Sequence, residues 1–202
     1  MTRRFLLIAF LVSVTSAASV SPAAALPQDP SLFIETLGNR ALAVLSSHAA
    51  PGTREAGFQQ LYERYFDAPR IARFVLGRYW WLASPAQRQQ FKALFEKYVV
   101  FAYSARLSSY SGETLRVIGS RPEGNGFIVA SEIVHPGGQP PTRVSWRLTR
   151  HDGRLKIVDV IVEGVSMAIT QRQEFASVIA RNGGNIGALL AVMQQKLREA
   201  AG

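Results

Sequence analysis

The chain contains no cysteine. That excludes a disulfide framework, a thiolate nucleophile, a cysteine-held metal site and a cysteine-linked lipid anchor on a processed N-terminus. Histidine is scarce as well: only His48, His135 and His151 occur in 202 residues. They fall in separate elements with no His-x-x-x-His pair, so each reads as an ordinary surface or turn residue and no metal site is expected. No glycine-rich loop follows a strand and opens a helix; Gly183-Gly184 follows a helix and reads as its C-cap. No apolar run approaches the ~20 residues a bilayer-spanning helix needs. Acidic side chains are few, 14 against 23 Lys and Arg, which gives a net charge of +9. That excess suits anionic lipid head groups or an acidic protein partner. The arginines form no dense run, and the export signal described next argues further against nucleic acid.

Arg3 and Arg4 precede an apolar run over residues 5–14, and small residues lead to Ala23-Ala24-Ala25. This is the order of a secretory signal peptide, with the cut expected after Ala25. Loss of Arg3 and Arg4 takes the charge from +9 to +7. Residues 1–25 thus read as a leader and 26–202 as one exported domain, large enough for a single sizeable core. No internal repeat, low-complexity tract or linker divides it.

Helical signals fill the first half. Asp29-Pro30 reads as a cap with Pro at the first helical position, followed by Ile34, Leu37, Ala41, Val44 and Leu45 at helical spacing. A second helix starts near Thr53, with Phe58, Leu61, Tyr62 and Tyr65 on one face. Asp67 caps a short helix over 69–76, stopped by Gly77. A brief aromatic piece, Tyr79-Trp80-Trp81, follows. Ser84-Pro85-Ala86-Gln87 is a capping box opening the longest helix, to about Tyr110. Nine aromatic residues lie between Phe74 and Tyr103, more than a two-layer core absorbs, so some are expected at a cleft or an interface.

The second half reads as strands: 114–120, then a turn at Asn125-Gly126 into 127–135, then 142–150 and 154–165. Val144, Trp146 and Leu148 alternate with Arg143, Ser145, Arg147 and Thr149, which predicts one buried and one wet face. Asp152-Gly153 is a tight hairpin turn. Helices over 167–181 and about 186–198 close the chain. The expected fold is α+β: a curved four-stranded antiparallel sheet covered on one face by helices, with an apolar cavity between them.

Gly164-Val165-Ser166-Met167-Ala168 has the outline of a hydrolase nucleophile elbow. No histidine follows Ser166 in the chain, so Ser166 reads as a helix cap instead. Asp159 and Glu163 share one face of the last strand and form the only acid–base candidate; nearby arginines offer plain ion pairing. No catalytic residue is assigned.

Several stretches resemble the MlaC family of periplasmic phospholipid-binding proteins, also called toluene-tolerance-type proteins. They are Val75-Leu76-Gly77-Arg78-Tyr79-Trp80, Ala83-Ser84-Pro85-Ala86-Gln87-Arg88, Phe95 with Tyr98 and Tyr103, and Tyr110-Ser111-Gly112. Further on come His135-Pro136-Gly137-Gly138-Gln139-Pro140-Pro141 and the run from Val158 to Met167. The variants at 70–80, 145–148 and 171–184 also resemble the hopanoid-associated, HpnM-like branch, which leaves phospholipid and hopanoid both open as cargo.

The resemblance implies a periplasmic lipid shuttle between an outer-membrane lipoprotein–porin complex and an inner-membrane ABC transporter with an MCE-domain subunit. It implies no cofactor other than the lipid cargo. Exposing a ~16-carbon chain to water costs on the order of 12 kcal/mol, at ~0.8 per methylene, so a dry cleft removes most of the barrier to crossing an aqueous gap. The residues expected to line that cleft are Leu76, Leu94, Tyr98, Tyr103, Val129, Val144, Trp146, Val160, Val162 and Met167. Ile157 and Ile161 compete with Val160 and Val162 for the inward face of the strand. Arg88, Tyr103 and Arg143 are expected on the head-group side. Two other readings stay open: an acid–base enzyme using Asp159 or Glu163, and an adaptor with a filled core.

Overall fold

A computed structural model describes residues 28–46, 51–107 and 112–201. The expected leader and its cut after Ala25 lie outside the described residues, as do His48 and the expected end of the long helix near Tyr110.

Helix α1 (Pro30–Ser46) starts where Asp29 Oδ1 accepts the amide of Leu32 at 2.8 Å. Helix α2 (Pro51–Tyr65) ends under Lys156, whose Nζ donates to the carbonyls of Glu63 and Arg64 at 3.1 and 2.7 Å. A cation there complements the negative end of the helix dipole. Asp67 caps α3 (Ala68–Leu76) by accepting from Arg70 N, and Gly77 at φ 60 stops it. The short α4 (Tyr79–Leu82) follows. A reciprocal capping box opens α5 (Pro85–Leu107): Ser84 Oγ accepts from Gln87 N at 3.2 Å, and Gln87 Oε1 from Ser84 N at 3.0 Å.

Strands β1 (Thr114–Glu123), β2 (Gly126–Val134), β3 (Thr142–His151) and β4 (Arg154–Val162) form an antiparallel meander, as the sequence predicts. A fifth strand, β5 (Val165–Ser166), joins the edge of β4. The sequence-based strand over 154–165 therefore splits. Glu163 and Gly164 take φ 47 and 82, the two left-handed residues of a type I′ hairpin turn, and the chain reverses. The β1–β2 turn also differs by one residue. It falls on Gly124-Asn125, with Gly124 at φ 55 and Gly126 already paired to Glu123. Gly126 is required for a different reason: a Cβ there would lie 1.9 Å from the Leu148 carbonyl oxygen of β3. Helices α6 (Met167–Arg181) and α7 (Ile186–Ala201) complete the chain.

One face of the sheet is wet and carries ion pairs, among them Arg116–Glu132, Arg143–Glu163 and Arg147–Glu123. The other face packs on helices. Register explains which β4 residues point there. Arg147 pairs with Asp159 but Leu148 pairs with Ile157, so Val158 is an extra, bulged residue. The bulge shifts the alternation by one. Ile157 before it and Val160 and Val162 after it therefore oppose Leu148, Trp146 and Val144 on the helix-covered face, and Ile161 pairs with Ser145 on the wet one.

Two apolar cores result. One joins α1 and α2 to the sheet through Phe33, Ile34, Tyr65, Val129, Leu148, Leu155 and Ile157. The other is all-helical, formed by α3, α5, α6 and α7, where Phe175 meets Phe91 and Phe95 edge-on at 5.7 and 6.1 Å. Phe66 packs against both cores.

Candidate functional site

Between the two cores lies a cavity of about 470 Å³, within the ~300–1,000 Å³ typical of small-molecule sites. Its walls follow from helix and strand periodicity. Helix α1 presents Leu37, Ala41, Leu42 and Leu45, and α2 presents Phe58, Leu61, Tyr62 and Phe66 beyond its last turn. Helix α3 adds Ile71 and Val75, four apart; α5 adds Phe95, Val99 and Tyr103, again at intervals of four. The sheet supplies Leu115, Ile133, Val144, Trp146, Val160 and Val162, and α6 supplies Met167 and Ala168 at its N-terminus. These sheet residues are mostly β-branched and short. They leave room that the long side chains of Phe33 and Tyr65 fill at the opposite end of the sheet.

Six of the sequence-predicted lining residues meet on this wall: Tyr103, Val144, Trp146, Val160, Val162 and Met167. Leu76, Leu94, Tyr98 and Val129 do not line it. Leu76 and Leu94 follow Val75 or precede Phe95 by one position, a rotation of ~100° around a helix, and turn into the helical core. Tyr98 is rotated likewise and packs on Phe175, centroids 6.1 Å apart, with Lys196 Nζ over its ring. Val129 lies mid-strand beneath α1, wholly buried in the sheet core. The α1 and α2 residues were visible in the sequence as amphipathic stripes. Nothing in a stripe separates a face packed on protein from a face lining a void.

Two of the three residues expected beside a head group are committed elsewhere. Arg88 Nε donates to the Trp80 carbonyl at 2.8 Å and its guanidinium lies over the Trp80 ring, 5.6 Å away, tying α4 to α5. Arg143 forms an exposed ion pair with Glu163, whose carboxyl is held below the usual range by bonds from the Arg143 amide and then its guanidinium. Tyr103 does stand on the cavity wall. With it, at the sheet end where β1 and β3 begin and β2 stops, are Glu113, Thr114 and His135. His135 Nδ1 lies 3.8 Å from Glu113 Oε1, and its Nε2 is 2.9 Å from Thr142 Oγ1.

Elsewhere the wall is almost entirely apolar. Tyr62 contributes its ring; burial, then Glu96, Tyr103 and Asp67, pushes its hydroxyl pKa well up, so it stays neutral. Asp159 also reaches the wall, but its oxygens are occupied. Oδ2 accepts from Ser166 Oγ at 2.6 Å and from Arg147 at 3.3 Å, and Oδ1 accepts from Ala168 N at 3.1 Å. Ser166 Oγ in turn accepts from Ile169 N. The outline of a nucleophile elbow is thus a doubly capped helix start. Among the described residues no cluster of three or more His, Cys, Asp or Glu could hold a metal ion, and no helix is long and apolar enough to cross a membrane.

Fold and cavity together define an α+β protein with an apolar cleft between sheet and helices, suited to hydrocarbon more than to polar ligands. The chain belongs to the MlaC protein family, which it matches over residues 35–195. It is 26% identical, across 95% of its length and 89% of the relative's, to the intermembrane phospholipid transport system binding protein MlaC of Haemophilus influenzae. A phospholipid-binding protein from Ralstonia solanacearum, solved in complex with a phospholipid, shares the fold with a TM-score of 0.75 at 22% identity. That match covers 86% of this chain and 99% of the other.

Proposed function

We propose that the protein is a lipid carrier of the periplasm, exported with cleavage after Ala25. It takes up phospholipid acyl chains in the cavity and shuttles them between an outer-membrane lipoprotein–porin complex and an inner-membrane ABC transporter with an MCE-domain subunit. The observation that carries this is the roughly 470 Å³ apolar void between two otherwise filled cores. A filled-core adaptor would have no such space. The family relative named for phospholipid transport and the lipid-bound structural relative support the same reading. Tails enter among Leu45, Val99, Val144 and Val160, and the head group stays at the polar end formed by Tyr103, Glu113, Thr114 and His135.

Native mass spectrometry of protein from the periplasm should find it holding one lipid-sized mass, and that mass separates diacyl phospholipid from hopanoid. Val144→Phe with Val160→Phe fills the wall without introducing a buried charge and should reduce uptake of a fluorescent acyl probe at least about tenfold. Tenfold is about 1.4 kcal/mol, or roughly two methylenes' worth of burial lost over the two positions together. Lipid-free native protein whose delipidated form ignores the probe would sink the proposal.

A further inference from the structure

Residues 68–95 carry Arg70, Arg73, Arg78, Arg88 and Lys92 and not one acidic side chain. The fold gathers part of this charge at one corner, where α3, α4 and α6 meet. On the sheet, several arginines are paired with acids: Arg116 with Glu132, Arg143 with Glu163, Arg147 with Glu123 and Asp159. At the corner, among the described residues, Arg73, Arg78 and Arg172 form no salt bridge. They lie over aromatic rings instead, Arg73 over Trp81 at 4.6 Å, Arg78 over Tyr79 at 4.9 Å and Arg172 over Phe74 at 5.2 Å. Glu174, the nearest acid on α6, is bonded by Gln171.

The same corner exposes large apolar side chains. Trp81 is 66%, Leu82 72% and Phe74 40% exposed. They project from a firmly built frame. Gly77 turns the chain at φ 60, a conformation that favours glycine, and the Arg172 guanidinium lies against it. Arg88 bonds the carbonyls of Trp80 and Trp81. Holding such residues out in advance lowers the ordering cost of binding. The corner also backs onto the cavity: Val75 and Gln171 line it, while their neighbours Phe74 and Arg172 face out.

We propose that this corner docks on membranes carrying anionic phospholipid. Trp81 and Leu82 enter the head-group layer, and Arg73, Arg78 and Arg172 face the phosphates. Trp beside an aliphatic residue, ringed by arginine, is the composition that favours a membrane interface. Arg78 also donates to Tyr79 Oη at 2.8 Å, but Arg73 and Arg172 rest on rings and have no fixed polar partners to set a register. A laterally averaged lipid surface needs none, whereas a protein partner would. The docking surface is separate from the cavity and acts whatever fills it.

The test is co-sedimentation of the whole processed protein with vesicles, run beside acyl-probe uptake. The wild type should bind vesicles of phosphatidylglycerol in phosphatidylcholine, bind pure phosphatidylcholine far less, and release as salt rises. Arg73→Gln with Arg172→Gln should bind about thirtyfold more weakly, from two lost surface cations. Trp81→Ser with Leu82→Ser should lose binding as well. Both variants should keep wild-type thermal stability and probe uptake. Wild-type protein that ignores anionic vesicles overturns the proposal and leaves an acidic protein as the occupant; so does undiminished binding by both variants. Loss of probe uptake with vesicle binding intact would count against the carrier reading alone.

Discussion

Asp159 is buried where β4 bulges, and its two oxygens receive three donors, from Ser166, Ala168 and Arg147. Every lone pair facing the protein is thereby engaged in holding the start of α6 against the sheet. Such a carboxylate acts as a cap, and taking a proton from a substrate would cost those bonds. Asp159→Asn keeps the shape but brings an NH2 group to donors. It should lower stability by about 1–3 kcal/mol, read as a fall in Tm, with probe uptake retained. Unchanged stability together with loss of a chemical turnover would favour the enzyme reading. His151 gives a pH signature. Its Nδ1 lies 2.9 Å from buried Asp67, and that hydrogen bond, followed by the charges of Asp67 and Asp152, raises its pKa. A raised pKa means the folded state holds the proton more tightly than the unfolded one. The contribution is therefore full below the ordinary histidine pKa of ~6.5 and is lost as pH climbs through the raised folded value. The Tm gap between wild type and His151→Ala should be widest at mildly acid pH and narrow above neutrality. A gap that widens with pH would show that His151 acts through packing instead.

Among the elements, the ends of helices were written most clearly in the sequence. Asp29, Asp67, Ser84 with Gln87, and Ser166 each cap as their chemistry requires, because a cap is a local hydrogen bond within three or four residues. The meander was legible for the same reason, since strand alternation and short turns are local patterns. The bulge at Val158 was not. It exists only in the pairing of β4 with β3, yet it decides that Val160 and Val162, rather than Ile161, face the helices. The turn at Glu163-Gly164 was missed because a glutamate rarely takes a left-handed conformation; here its side chain is fixed by Arg143 of the neighbouring strand β3. Helix α5 shows the remaining limit. Leu94 and Tyr98 differ from Phe95 and Val99 by a single position, and both stripes are apolar. Both stripes touch the helical core, where Phe95 meets Phe175 of α6, but only Phe95 and Val99 also reach the void, a distinction that depends on what stands opposite.

For the molecule as a whole, the void sets a thermodynamic condition. The two cores touch through Phe66 and share walls around a space that packed side chains would otherwise fill. An empty apolar cavity forfeits dispersion contacts along its lining, so the unfilled protein is less stable than its buried surface suggests. Cargo that occupies the space binds only the folded state and must therefore stabilise it, by ~2.7 kcal/mol when free ligand is a hundred times its dissociation constant. For a chain of this size that amounts to a rise in Tm of about 5–10 °C. Scanning calorimetry of delipidated protein, repeated with increasing monomeric short-chain phospholipid, should show a saturating rise. The cavity-filled Val144→Phe, Val160→Phe variant should begin at a comparable or higher Tm and respond little, because its own rings replace the missing contacts. A delipidated wild type whose Tm does not move with lipid would mean that hydrocarbon does not enter the space between the cores.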